Sequence, residues 1–264
     1  MLEPHVLIAD NINRTGIAKA VFTTRQGGVS TGEWAGLNLG LHVGDLPESV
    51  IKNRELVSQI LGVQLSQWVC GEQVHGKQVA VVGKEHVSRG AFVYTDAIPG
   101  TDALVTNQPG VVLSTFAADC VPILLLDPVQ KAAASIHAGW KGTKSQIAKE
   151  TVRVMQEAFG CDPANLVAAI GPGIDDCCYE VDDKVYDPFV NEYPRGAAFF
   201  KANSNGRWQL SLPLANRQIL LEAGLRPEHV ERFGGCTACD IDTYFSHRAE
   251  RGATGRLAGL VVLL

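Results

Sequence analysis

No stretch of this 264-residue chain is apolar for the roughly 20 residues that a membrane-spanning helix needs. The longest such run, LAGLVVLL at 257–264, has the length of a buried strand. No lysine/arginine cluster is present, and the formal net charge is -5, with 23 basic against 28 acidic residues. That balance argues against a nucleic-acid binder, which works through a basic face. Neither a GxGxxG nor a P-loop pattern occurs, so the usual dinucleotide and nucleoside-triphosphate signatures are missing. The opening MLEPHVLIADN has an acid and a proline and no basic start, unlike a secretory signal. A cytoplasmic protein with reduced cysteines is expected, and seven cysteines, an odd number, agree with that. Internal repeats and low-complexity tracts are absent as well.

What is present is a globular composition, 46% hydrophobic and 19% charged, in short runs rich in Val, Ile and Ala. Strands are expected at 20–24, 77–82, 102–106, 111–116, 121–126, 131–136, 166–170, 230–233 and 259–264. Several are apolar at nearly every position, as in sheets covered on both faces. Helices are expected from the Asp45–Glu48 cap to Gly62, from Thr143 to Phe159, from Pro213 to Ala223, and over a short segment at 182–193. The strands come in groups without regular strand–helix alternation, which favours an α+β fold in a single domain over a doubly wound sheet.

The segment ADCVPILLLDPVQKAAASIHAGWKGT, residues 118–143, carries the chemistry. Asp127-Pro128 signals a turn. A two-residue loop at Pro128-Val129, or a four-residue loop over Asp127–Gln130, places Cys120 directly opposite His137 in an antiparallel pair. Opposed residues share a face with beta carbons about 5 Å apart. A buried cysteine beside a core histidine would give the same pattern. Pro122, which donates no ladder hydrogen bond, must then occupy a non-hydrogen-bonded position or an edge. His75, in GEQVHGKQV, precedes another apolar run and supplies a third ligand. Three protein ligands plus water is the arrangement of a catalytic zinc. The CxxC at Cys236 and Cys239 and the adjacent Cys177 and Cys178 read instead as buried reduced thiols.

The motifs TTRQGGVS (23–30), NLGLHVGD (38–45), QVHG (73–76), ADCVPILL (118–125), HAGWKGT (137–143), IGPGI…CCYEV (170–181) and GCTACD…YFSHR (235–248) occur in this order. In them the chain resembles the YfiH or laccase-domain family, whose members are named polyphenol oxidases and purine nucleoside phosphorylases. The resemblance spans nearly the whole chain, and the pairing of ADCVP with HAGWKGT is its most specific feature. It implies two stacked mixed β-sheets flanked by helices, and a zinc site at His75, Cys120 and His137. It also implies phosphorolysis of adenosine, inosine, guanosine and methylthioadenosine, with deamination of adenosine. The partners are then small molecules, purine nucleosides and phosphate, with no nucleic acid or membrane, and a monomer is expected.

Deamination needs a carboxylate that moves protons, and Asp119 and Glu72 are the candidates. Phosphorolysis needs an anion site. Lys141 and Thr143 at a helix start, Arg25 beside Gly27-Gly28, and Arg248 are the candidates. A copper phenol oxidase is the second reading, since a His₂Cys set also binds copper. Against it, the seven histidines contain no i, i+2 pair, and only Met1 and Met155 exist as thioether ligands. A metal-free cysteine hydrolase or deamidase, with Cys120 as nucleophile and His137 as base, is the third.

Overall fold

A computed structural model describes residues 3–193 and 195–264. Along the chain lie strand β1 (Val6–Ile8), helix α1 (Asp10–Asn13), β2 (Ala18–Thr23), α2 (Pro47–Leu61), β3 (Trp68–Cys70), β4 (Val79–Val81) and β5 (Ala103–Thr106). Next come β6 (Val112–Ala117), β7 (Val121–Asp127), β8 (Ala132–Ala138), α3 (Trp140–Lys144), α4 (Ile147–Phe159) and β9 (Val167–Ile170). The remainder holds β10 (Glu180–Val181), α5 (Asp183–Glu192), β11 (Phe200–Ala202), β12 (Trp208–Leu210), α6 (Leu212–Glu222), β13 (Val230–Arg232) and β14 (Leu257–Leu263).

The apolar runs build two mixed sheets. One has the order β1-β2-β14-β6-β3, with β3 parallel to β6 and the other pairs antiparallel. The second has the order β13-β9-β7-β8-β5-β4, with parallel pairs at its two edges. A small third sheet, β10-β12-β11, lies apart from them. Every residue of β6, β7, β8 and β14 is buried, which explains why those runs do not alternate.

The core divides by face. Phe22, Leu113 and Val261 of the first sheet meet Leu104, Leu124 and Leu126 of the second in a shared apolar layer. On the outer face of the second sheet, Ile123, Leu125 and Ile136 pack against Val152 and Met155 of α4 and Ile219 of α6. The outer face of the first sheet packs Val21 and Leu260 against Val57 and Leu61 of α2. Helix, sheet, sheet and helix thus form four layers, the α+β architecture expected from the sequence. Each fully buried Leu, Ile or Phe in these layers contributes about 1.5–3 kcal/mol. One polar tie crosses between the sheets, where Thr115 and Ser135 share a hydrogen bond of 2.9 Å and Ser135 also donates to Gly259 O.

Helix ends follow the local chemistry. Gly62 and Gly160 take the left-handed conformation that closes α2 and α4. Ser211 caps α6 by accepting from Leu214 N. The helix expected to start near Thr143 is two helices, because Gln146 adopts φ 58° and breaks the run between α3 and α4. Among the described residues, no helix is long and apolar enough to cross a membrane.

A candidate metal centre and its cavity

The β7–β8 hairpin does not have the expected register. Asp127 pairs with Ala132 and Pro122 with His137, so the loop is Pro128–Lys131 and Cys120 precedes the strand, two places out of line with His137. This loop has four residues, as one of the expected alternatives did, but starts one residue later, and Asp127 sets it: its Oδ1 accepts the backbone N–H groups of Val129 and Gln130. Lys131, at φ 52°, then returns the chain. Because side chains alternate with a period of two, a slip of two residues keeps Cys120 and His137 on one face. Pro122 loses nothing by its position, since His137 N donates to Asp102 O on the opposite side.

That bond brings in a residue that sequence reasoning missed. Asp102 stands just ahead of β5, is 1% exposed, and accepts three hydrogen bonds. Its Oδ1 lies 2.9 Å from His137 Nδ1 and 2.9 Å from His75 N, and its Oδ2 lies 2.7 Å from Gly76 N. One carboxylate therefore holds the His137 ring by Nδ1 and pins the turn carrying His75, which sits at φ 62°. With Nδ1–H given to Asp102, Nε2 of His137 is left as the ligand atom. The only sequence signal was an acid at the head of the apolar run ALVT.

Ligand atoms of His75, Cys120 and His137 all lie within 4.8 Å of one another. The two imidazoles meet edge to face, with centroids 4.8 Å apart. Gly139 makes the approach possible: a Cβ there would stand 2.9 Å from Cys120 Sγ and 2.9 Å from His75 Cδ2. Burial pushes the Cys120 thiol up, but the charge and hydrogen bonds of His137 and His75 outweigh it and draw the thiol well below its ordinary range. Burial alone would make His137 less basic, yet the Cys120 sulfur and the Asp102 carboxylate hold it well above an ordinary imidazole. The sulfur is thus poised as a thiolate, the form that binds metal. A thiolate, two imidazoles and a carboxylate behind one of them fit a borderline divalent cation such as zinc or copper.

The three ligands line a cavity of about 500 Å³. Of the other expected residues, Asp119, Glu72, Lys141 and Arg248 also line it, whereas Arg25 and Thr143 do not. Asp119 is committed to the scaffold: Oδ1 accepts from Thr237 Oγ1 at 2.7 Å and Oδ2 from Arg248 N at 2.6 Å. Glu72 anchors Gly100 N through Oε2. Arg25 turns away to Glu250, at 3.0 Å, and to Ile241 O, and its guanidinium covers the Phe245 ring at 4.5 Å. It clasps the loop that carries Arg248. Thr143 is fully buried, and its hydroxyl accepts from Asn216 of α6.

Cavity residues that were not anticipated include His42, His247, Arg256 and Tyr179. Burial and the nearby Arg256 and Arg54 depress His42 to about 4, so it is a neutral imidazole. Arg248 lies over the Tyr179 ring at 5.0 Å and donates to Glu180 O. Deeper down, Arg54 is 2% exposed and donates to the carbonyls of Leu39, Gly90 and Ala91. It covers the ring of Phe116, another cavity residue, at 4.5 Å. The seven cysteines are all free, and contrary to expectation Cys177 and Cys239 are exposed while Cys178 and Cys236 are half-buried.

Fold and site together define an α+β protein in which one cysteine and two histidines bring their potential ligand atoms within 4.8 Å of one another at a cavity wall. The chain belongs to the family described as multi-copper polyphenol oxidoreductase laccase, which matches residues 19–264. It is 40% identical over 245 residues to a Geobacillus stearothermophilus protein named purine nucleoside phosphorylase YlmD, covering 92% of this chain and 89% of that one. A Bacillus subtilis protein of the same name is 39% identical over 243 residues, covering 92% and 87%. Among solved structures, the Bacillus licheniformis hypothetical protein YfiH superposes with a TM-score of 0.94 at 38% identity, covering 99% of this chain and 97% of that one. The structure of YlmD from Geobacillus stearothermophilus gives 0.89 at 40% identity, covering 93% and 92%.

Proposed function

We propose that the protein is a zinc-dependent purine nucleoside phosphorylase that also deaminates adenosine. The observation that carries this reading is the convergence of His75, Cys120 and His137 on a cavity that also presents Lys141, Arg248 and Arg256. The names of the relatives support the phosphorylase half. A cavity of about 500 Å³ suits a nucleoside. When bound, zinc supplies a Lewis acid that polarises an oxygen and brings the pKa of a water toward about 7.

The chain's own residues divide the remaining work. Cys120, just ahead of β7, and His137, on β8, would hold the ion together with His75, on the turn pinned by Asp102. Arg248 and Lys141 hold phosphate against the ribose, and Arg256 adds positive charge at the same cavity. In phosphorolysis a phosphate oxygen attacks C1′, the bond from C1′ to the purine nitrogen breaks, and the purine leaves with a proton. In deamination water adds at C6 and ammonia leaves. Glu72 is the better placed carboxylate for the proton, because both oxygens of Asp119 already accept hydrogen bonds. Asp119 holds the Arg248 segment in place.

The test is incubation of adenosine with the protein, with and without phosphate. Phosphate-dependent adenine and ribose 1-phosphate, with inosine in both samples, are the expected products. Cys120→Ala should abolish both reactions and metal binding at this set while leaving the fold intact; full activity in that variant would refute the site.

One feature favours a second reading. Cys120, His137 and Asp102 stand in the order of a nucleophile, a base and its orienting acid. A metal-free preparation that remains active and is blocked by alkylation of Cys120 would establish a cysteine hydrolase instead. Copper in place of zinc, with turnover of phenols, would establish the oxidase.

A further inference from the structure

From the surface beside the cavity, we infer that Cys177, Cys178, Cys236 and Cys239 form a second, structural zinc site. The sequence separates these residues into an adjacent pair and a CxxC, and the fold joins them: all four sulfurs lie within 4.8 Å of one another. Cys239 Sγ is 3.2 Å from Cys177 Sγ and 3.3 Å from Cys178 Sγ. These separations exceed a disulfide bond, which is about 2.05 Å. They lie near the sulfur–sulfur edge of about 3.8 Å in a tetrahedron with Zn–S bonds of about 2.3 Å. Four thiolates around one ion is a closed, structural set, whereas the His₂Cys set at the cavity leaves a position open.

The surroundings fit an ion better than four free thiols. Asp175 N donates to Cys236 Sγ at 3.4 Å, the hydrogen bond to sulfur that commonly supports a metal thiolate. Gly173 and Cys236 form an isolated parallel bridge, and Thr237 N donates to Gly173 O, so the two segments are already in register. The ion would lock the 173–181 segment to the 235–248 segment. Both segments face the cavity, the first through Ile174 and Tyr179 and the second through His247 and Arg248. Thr237, between the two CxxC cysteines, also holds Asp119, next to the ligand Cys120. The second ion is therefore a rivet behind one wall of the cavity and takes no part in the chemistry.

The test separates this site from the one at the cavity by working in the full chain carrying Cys120→Ala. After dialysis against metal-free buffer, that protein should retain about one zinc per chain. Titration with a mercurial should release it as the four clustered thiols react. Adding Cys239→Ser should remove the zinc. Absence of zinc from the Cys120→Ala protein, with the four thiols reacting freely, would overturn the inference, as would recovery of these cysteines as disulfides. Should Cys239→Ser fail to fold, zinc content and thiol protection in the Cys120→Ala protein still decide. Failure of the cavity site would appear in the wild-type protein as one zinc, unchanged by Cys120→Ala.

Discussion

Asp102 Oδ1 lies 2.9 Å from His137 Nδ1 and equally close to the backbone nitrogen of His75, so one buried carboxylate orients both histidines of the candidate metal set at once. Asp102→Asn retains the shape and one acceptor but loses the charge that favours the Nδ1–H tautomer. Zinc affinity at the cavity should fall about 10–100-fold. Competition with a chromogenic chelator measures it, and an unchanged constant would show that Asp102 serves the fold alone.

Gly139→Ala isolates the close approach of sulfur and imidazole. Gly139 sits at φ −75°, which alanine adopts without strain, so any effect comes from the added methyl group. That methyl would stand 2.9 Å from both Cys120 Sγ and His75 Cδ2. The variant should fold, bind zinc at the cavity at least about tenfold more weakly, and lose turnover in proportion. Metal content beside circular dichroism checks both halves of the expectation.

Arg25 and Arg248 should behave differently although both were candidates for phosphate. Arg248→Ala removes a cavity guanidinium and leaves its backbone bond to Asp119 in place. The KM for phosphate should rise about tenfold or more, matching a lost charge-assisted hydrogen bond of roughly 1.5–3 kcal/mol. Arg25→Ala removes the clasp on Glu250 and Ile241. It should lower Tm while leaving the ratio of phosphate KM to nucleoside KM unchanged. Initial rates over a grid of both substrates distinguish the two.

Arg54→Ala should be the most destabilising of these substitutions. It leaves the carbonyls of Leu39, Gly90 and Ala91 without their donor in a buried setting. Unmet buried acceptors and the lost packing on Phe116 should cost about 3 kcal/mol or more. For a chain of this size that is a fall in Tm of roughly 6–12 °C, read by thermal unfolding.

The long buried strands and the main helices were legible because their patterns are long: β2, β6, β7, β8, β14, α2 and α6 stand where the apolar runs and caps put them. Among the strands of two or three residues, β4 and β13 lie within expected runs, whereas β1, β3, β10, β11 and β12 carry too little periodicity to read. The hairpin shows what a pattern can and cannot settle. Its parity was readable from the sequence, and so was a four-residue loop, but not the loop's place: Asp127 stays in the ladder and its side chain binds Val129 N and Gln130 N, so the loop is Pro128–Lys131 instead of Asp127–Gln130. Asp102 was hidden for another reason: its value exists only once β5 lies beside β8. The four surface cysteines needed the same kind of long-range closure, with Cys177 and Cys239 separated by 62 residues.

The place of β14 has a consequence for biosynthesis. Leu257–Leu263 lie between β2 and β6 and pair with both. Until those residues leave the ribosome, each of the two earlier strands exposes a bare edge where β14 belongs. A nascent chain halted before residue 257 therefore holds this sheet as two separate fragments, β1-β2 and β6-β3, and β14 must be inserted between them afterwards. Such late, non-local pairing makes for slow maturation. It also places the aggregation-prone interval before Leu257–Leu263 emerge, when the edges of β2 and β6 still await their common partner.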